Sequence, residues 1–173
     1  MSSGERQPRS LREVVFVDGV RTPFGKAGPK GVYAETRADD LVVRVIRELL
    51  RRNPALPADR VDEVAIAATT QVGDQGLTLG RTAALLAGLP KTVPGYAIDR
   101  MCAGAMTAVT TTASGIAFGA YDVAIAGGVE HMGRHRWARA PTRTRGSPAR
   151  SWSTARRWSW APPPRTCTTA SRT

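Results

Sequence analysis

No acidic residue follows Glu130, whereas ten Arg run from Arg134 to Arg172 and all four Trp (Trp137, Trp152, Trp158 and Trp160) fall in the same stretch. This boundary near Gly133 limits what the 173-residue chain can fold into more than any other feature. Residues 134–173 mix Arg, Ser, Thr, Pro and Trp without apolar periodicity. Such a segment has too little to bury against its own chain entropy and is expected to be disordered. Residues 1–12 are polar and are expected to form a flexible N-terminus. Residues 13–133 remain for a folded domain, a length that just suffices for one core.

The charge is as uneven as the composition. Removing the ten tail Arg from 25 basic residues leaves 15 against 14 acidic ones, so residues 1–133 carry +1 of the net +11. The sequence pI of 11.1 therefore belongs to the tail. It says almost nothing about residues 1–133, and the tail is expected to bind nucleic acid only non-specifically, through phosphates and stacking. Cys102 and Cys167 lie on opposite sides of the boundary and make no disulfide framework, which points to a reducing compartment. No apolar core follows the charges of Met1–Arg12, and no apolar run approaches the roughly 20 residues of a membrane span. The expectation is a cytoplasmic protein without a membrane partner.

Within residues 13–133, short apolar runs alternate with helical patterns. Val14–Val17 reads as a buried strand closed by Asp18-Gly19. Arg21–Gly31, with three Gly and two Pro, reads as a loop. A helix is expected from Ala38-Asp39-Asp40 to Arg51-Arg52, acids first and bases last, with Leu41, Val42, Val45, Ile46, Leu49 and Leu50 on one face. Asn53-Pro54 and Pro57 end it. Val64–Ala68, Tyr96–Ile98 and Val123–Ala126 read as further strands, and Gly80–Gly88 and Ala103–Phe118 as further helices. Strands apolar throughout, alternating with helices, imply an α/β fold with a mostly parallel sheet and helices on both faces.

Cys102 is the candidate catalytic residue. It falls between a strand and a helix, followed by the small residues Ala103, Gly104 and Ala105. Strand-to-helix turns host nucleophiles, and a helix N-terminus favours negative charge on sulfur. The same residue also suits a small buried hydrophobe, and position alone leaves both roles open. Glu130, His131 and His135 put two His at i, i+4 without a third ligand, which is no zinc set. Gly25, Gly28 and Gly31 spell no phosphate loop. No metal and no cofactor is expected.

Asp99-Arg100-Met101-Cys102-Ala103-Gly104-Ala105, followed by Asp122-Val123-Ala124-Ile125-Ala126-Gly127-Gly128-Val129-Glu130-His131-Met132, resembles the nucleophile region of the thiolases. Val17–Lys26, Val61–Val64 and Arg81–Pro90 resemble three other blocks of that family, in the same order, so that residues 12–135 are covered. The resemblance implies the N-terminal half of a thiolase fold. It implies acyl-CoA C-acyltransfer with Cys102 as acyl acceptor, in thiolysis of 3-ketoacyl-CoA or condensation of acetyl-CoA. It also implies CoA thioesters as substrates rather than a bound cofactor, and a homo-oligomer in the intact family. Ketoacyl synthase-like condensing enzymes share the fold and a nucleophilic Cys and are the nearest alternative. Two positions depart from the pattern: Asp99 stands where the family usually has Asn, and Gly104-Ala105 where it has Ser-Gly. The family's activating His, second acid/base Cys and oxyanion groups belong mostly to its C-terminal half, so this chain alone is expected to be incomplete and inactive.

The tail reads as out-of-frame translation. Trp has a single codon, TGG, which in a displaced frame gives Leu, Met or Val followed by a codon starting with G. With G/C-rich codons, Ser151–Arg172 re-reads as Val-Val-Asp-Gly-Glu-Ala-Leu-Val-Met-Gly and onward, an apolar-and-acidic text. Likewise His135–Arg139 re-reads as His-Pro-Met-Gly-Glu. A functional tail that binds nucleic acid is the alternative from a different class.

Overall fold

The structure, a computed structural model, describes residues 10–133. The expected disordered tail (134–173) and most of the expected flexible N-terminus lie outside the described residues.

Three α-helices and three strands, with three short 3-10 turns between them, make up the regular structure among the described residues, the helices and strands in the order α1 (Ala38–Arg52), β1 (Glu63–Ala67), α2 (Leu79–Ala87), β2 (Gly95–Ile98), α3 (Gly104–Ala117) and β3 (Ala124–Gly128). All three strands are parallel, in the order β2-β1-β3. β1 pairs with β2 from Val64 opposite Gly95 to Ala67 opposite Ile98, and with β3 from Glu63 opposite Ala124 to Ala67 opposite Gly128. The two crossovers step in opposite directions across the sheet. Right-handed connections therefore put α2 and α3 on opposite faces.

α1 begins with Asp39 and Asp40 in its first turn and ends with Arg51 and Arg52 in its last, each sign suited to the helix dipole. Asn53 closes it: its N–H reaches the Leu49 and Leu50 carbonyls, and its side-chain amide donates to Leu49 O and to the Asp18 carboxylate. α2 ends at Gly88, whose φ of +98° turns the chain into a left-handed cap. Arg47 on α1 donates to the Leu86 and Ala87 carbonyls at the end of α2, linking the two helices.

The core lies between this helix pair and one face of the sheet. Val42, Val43 and Ile46 of α1, Leu79, Ala83 and Ala84 of α2, and Val64, Ile66 and Ala68 of the β1 segment form it. Each fully buried Val, Leu or Ile side chain contributes about 1.5–3 kcal/mol. The opposite face is thinner. Between Arg100 and Asp122 no residue is charged, yet only Gly104, Ala108 and Thr112 of α3 are buried. Met106 and Val109 stay exposed, and so does Phe118 just past the helix. A helix that is apolar or small all round has the composition of one covered on more than one side.

One expectation fails. Val14–Val17 is not a buried strand: Phe16 is 84% exposed and Val17 77%. A strand needs a neighbour to accept and donate its backbone hydrogen bonds, and among the described residues none pairs with this run. The segment is anchored just before it, where the Arg12 N–H bonds Ala117 O at 3.0 Å and the Arg12 guanidinium meets the Asp122 carboxylate at 2.5 Å.

Candidate active site

Parallel sheets bind ligands beyond the carboxyl ends of their strands, and Cys102 lies at that edge. β2 ends at Ile98, Met101–Ala103 makes one tight 3-10 turn, and α3 begins at Gly104. The Cys102 thiol is free and exposed.

The turn is strained next to the sulfur. Met101 has a φ of +49°, a left-handed conformation that costs a residue with a Cβ about 1–2 kcal/mol. Its N–H donates to Asp99 Oδ1 at 3.2 Å. On the other side, Arg100 Nη1 donates to Thr107 Oγ1 at 3.2 Å, and the Thr107 hydroxyl donates to Ala103 O at 2.9 Å.

Small residues bring the start of α3 down onto the sheet. A Cβ on Gly104 would come within 2.8 Å of the Ala67 Cβ, and one on Gly128 within 3.1 Å of the Ala105 Cβ. Gly104 thus leaves room for Ala67 of β1, and the Ala105 methyl lies against the end of β3 at Gly128.

Beside this edge a polar network joins the exits of β1 and β3. Glu130 accepts from the Thr69 N–H at 2.8 Å and from Gln75 Nε2 at 3.1 Å. Fully buried Gln75 also donates to Thr70 O at 2.8 Å and accepts the His131 N–H at 2.5 Å. The His131 ring is buried with Nε2 2.8 Å from the Tyr33 carbonyl, so it carries the hydrogen there and braces the loop before α1. His131 is therefore committed to structure, while His135 lies outside the described residues. Among the described residues no cluster of three or more metal-ligating side chains occurs. Gln75 and its partners were not legible in the sequence, because a glutamine in a polar loop 55 residues from its carboxylate partner leaves no local pattern. The backbone of Met101 left none either, since Met seldom adopts a positive φ.

At the opposite end of the sheet the titratable groups are structural. Backbone N–H groups of Asp122 and Val123 hold the Asp62 carboxyl below its ordinary range. Burial pushes the Glu63 carboxyl up, and burial likewise raises Tyr96 and Tyr121, helped by nearby negative charge. No helix among the described residues is long and apolar enough to cross a membrane.

Comparison with known proteins places this geometry. Residues 14–154 match the family described as Thiolase, N-terminal domain. The beta-ketoadipyl-CoA thiolase of Pseudomonas putida is 44% identical over 124 residues, covering 72% of this chain and 30% of the relative. The 3-ketoacyl-CoA thiolase of Saccharophagus degradans is 44% identical over 122 residues, covering 70% of this chain and 31% of the relative. A solved structure of the acetyl-CoA acetyltransferase of Bacillus anthracis superposes with a TM-score of 0.66 at 34% identity, covering 76% of this chain and 34% of that one. The chain thus spans about a third of the length of the relatives it matches. On this evidence of sequence and fold, the chain belongs to the thiolase family.

Proposed function

We propose that the chain carries the nucleophile-bearing part of an acyl-CoA C-acyltransferase, with Cys102 as the residue that accepts the acyl group. The observation that carries this reading is the position of Cys102: an exposed thiol at the carboxyl edge of a parallel sheet, on the turn into α3, in a thiolase-family chain. The thiolate attacks the carbonyl carbon of an acyl-CoA thioester. A new bond forms to Cys102 Sγ, the bond to the CoA sulfur breaks, and CoA leaves as a thiolate that takes up a proton. In condensation, a second acetyl-CoA deprotonated at its α-carbon attacks the acyl-enzyme carbonyl, forming a carbon–carbon bond and freeing the Cys102 thiolate. No cofactor is needed beyond the CoA thioesters themselves, and the setting is the cytoplasm in a homo-oligomer.

The α-proton needs a base, and the described residues do not offer one. Their single His, His131, is engaged with the Tyr33 carbonyl, and Cys102 is their single free thiol. Losing a positioned acid or base costs about 10²–10⁴ in rate. The 173-residue chain by itself is thus expected to acylate slowly and not to turn over.

The test follows CoA release. The purified chain incubated with acetyl-CoA should release up to one equivalent of CoA over hours and then stop, and Cys102→Ser should release none. Equal release from the serine variant would remove Cys102 from its role. Sustained thiolysis of acetoacetyl-CoA, abolished by Cys102→Ala, would overturn the incompleteness of the isolated chain.

A further inference from the structure

We propose that Asp99 is a positioning residue for Cys102, its carboxylate holding Met101 in the left-handed conformation that sets Cys102 on the turn into α3. The inference rests on Cys102 as the nucleophile and says what keeps it in place.

Every residue from Asp99 to Ala103 is exposed. Packing therefore does not hold the turn, although Met101 adopts a φ of +49° within it. A costly conformation persists only where its surroundings over-determine it, and here hydrogen bonds must do so. Asp99 Oδ1 accepts the Met101 N–H directly. The neighbouring cation does not compete for this carboxylate, because Arg100 reaches over the turn to Thr107, which in turn bonds Ala103 O. The two braces grip the backbone on either side of Cys102. With Met101 left-handed, the chain passes through a single 3-10 turn and enters α3 within two residues, which fixes Cys102 at the junction of β2 and α3.

Asn offers the same acceptor oxygen without the charge, whereas Ala offers none. Gly adopts positive φ without assistance. These differences separate positioning from a general structural role. The full chain is prepared as wild type, Asp99→Ala, Asp99→Asn, Met101→Gly and the Asp99→Ala/Met101→Gly pair. Alkylation of Cys102 by iodoacetamide is timed against Cys167 of the same chain, and acetylation by acetyl-CoA is followed in parallel. Asp99→Ala is expected to slow Cys102 about tenfold relative to Cys167, as loss of one charge-assisted hydrogen bond implies. Asp99→Asn should stay within about twofold of wild type, and Met101→Gly should make Asp99→Ala silent. Far-UV circular dichroism should report an intact fold in every variant, since nothing buried changes. An Asp99→Ala chain alkylated at the wild-type rate, an Asp99→Asn chain as slow as Asp99→Ala, or a double variant that stays slow would each overturn the proposal. If wild-type Cys102 resists acetyl-CoA while alkylation follows the expected pattern, the acyl-acceptor role fails and the positioning of the thiol stands.

Discussion

Replacing Gly80 by Ala tests how the helix pair is set against the sheet that carries Cys102. Gly80 is buried near the start of α2. A Cβ there would lie 2.5 Å from the Val64 carbonyl oxygen and closer still to that of Tyr96. Both are backbone atoms of paired strands, β1 and β2, so neither can swing aside as a side chain would. Ala gains up to about 1 kcal/mol of helix propensity over Gly. Overpacking costs about 1–3 kcal/mol, and contact with rigid backbone sits at or above the upper end of that range. The net is a destabilisation of about 2 kcal/mol, or a fall in Tm of roughly 8 °C for a domain of about this size. Gly127→Ala is the matched control, because a Cβ at Gly127 meets nothing within 4 Å and its backbone φ is ordinary. Urea and thermal unfolding, both followed by circular dichroism, give the comparison. A Gly80→Ala chain as stable as wild type, or one no less stable than Gly127→Ala, would refute this account of how α2 seats on the sheet.

Other outcomes follow from the charges. Burial raises the Glu63 carboxyl, so ionising it disfavours the fold; the penalty is present above its folded pKa and vanishes as pH falls below its ordinary value. Glu63→Gln should therefore raise the urea midpoint at pH 7 and leave it unchanged near pH 3. Asp62 is lowered by the Asp122 and Val123 N–H groups, so its contribution is present above its ordinary pKa and lost as pH falls through the lowered folded value. Asp62→Asn should destabilise at neutral pH, the difference from wild type closing in acid. The Arg-rich tail should bind DNA and RNA by charge alone, weakening steeply with salt and indifferent to sequence; tight selective binding at about 0.15 M salt that requires Trp152, Trp158 and Trp160 would contradict an out-of-frame origin. Restoring one base near codon 136 should open a frame that continues as a thiolase, and DNA encoding no such continuation would contradict it as well.

Much of the fold was legible because local signals agreed with global ones. α1 was marked at both ends by charge and stopped by Asn53-Pro54, and the structure gives it as Ala38–Arg52. The strands at Val64, Tyr96 and Val123 were apolar runs between helices, and each forms within a residue or two of its expected place. Val14–Val17 carries an equally good strand signal but forms none among the described residues. Strand propensity states a fitness for a pleated, half-buried surface, and only a neighbouring strand supplies one. At the site, the place of Cys102 on a strand-to-helix turn could be read from the flanking patterns. The left-handed Met101, the Asp99 brace and the Glu130–Gln75 network could not, since each depends on a backbone dihedral or a distant partner.

The central claim is that Cys102 takes the acyl group, and peptide mapping of the acylated chain tests it most directly. After incubation with acetyl-CoA, quenching in acid and digestion at low pH, the acetyl thioester should reside on the peptide containing Cys102. Hydroxylamine should remove it, and Cys167 in the same chain should be far less modified. An acetyl group found equally on both cysteines, or on Cys167 alone, would mean that the fold does nothing for Cys102 and would contradict the claim.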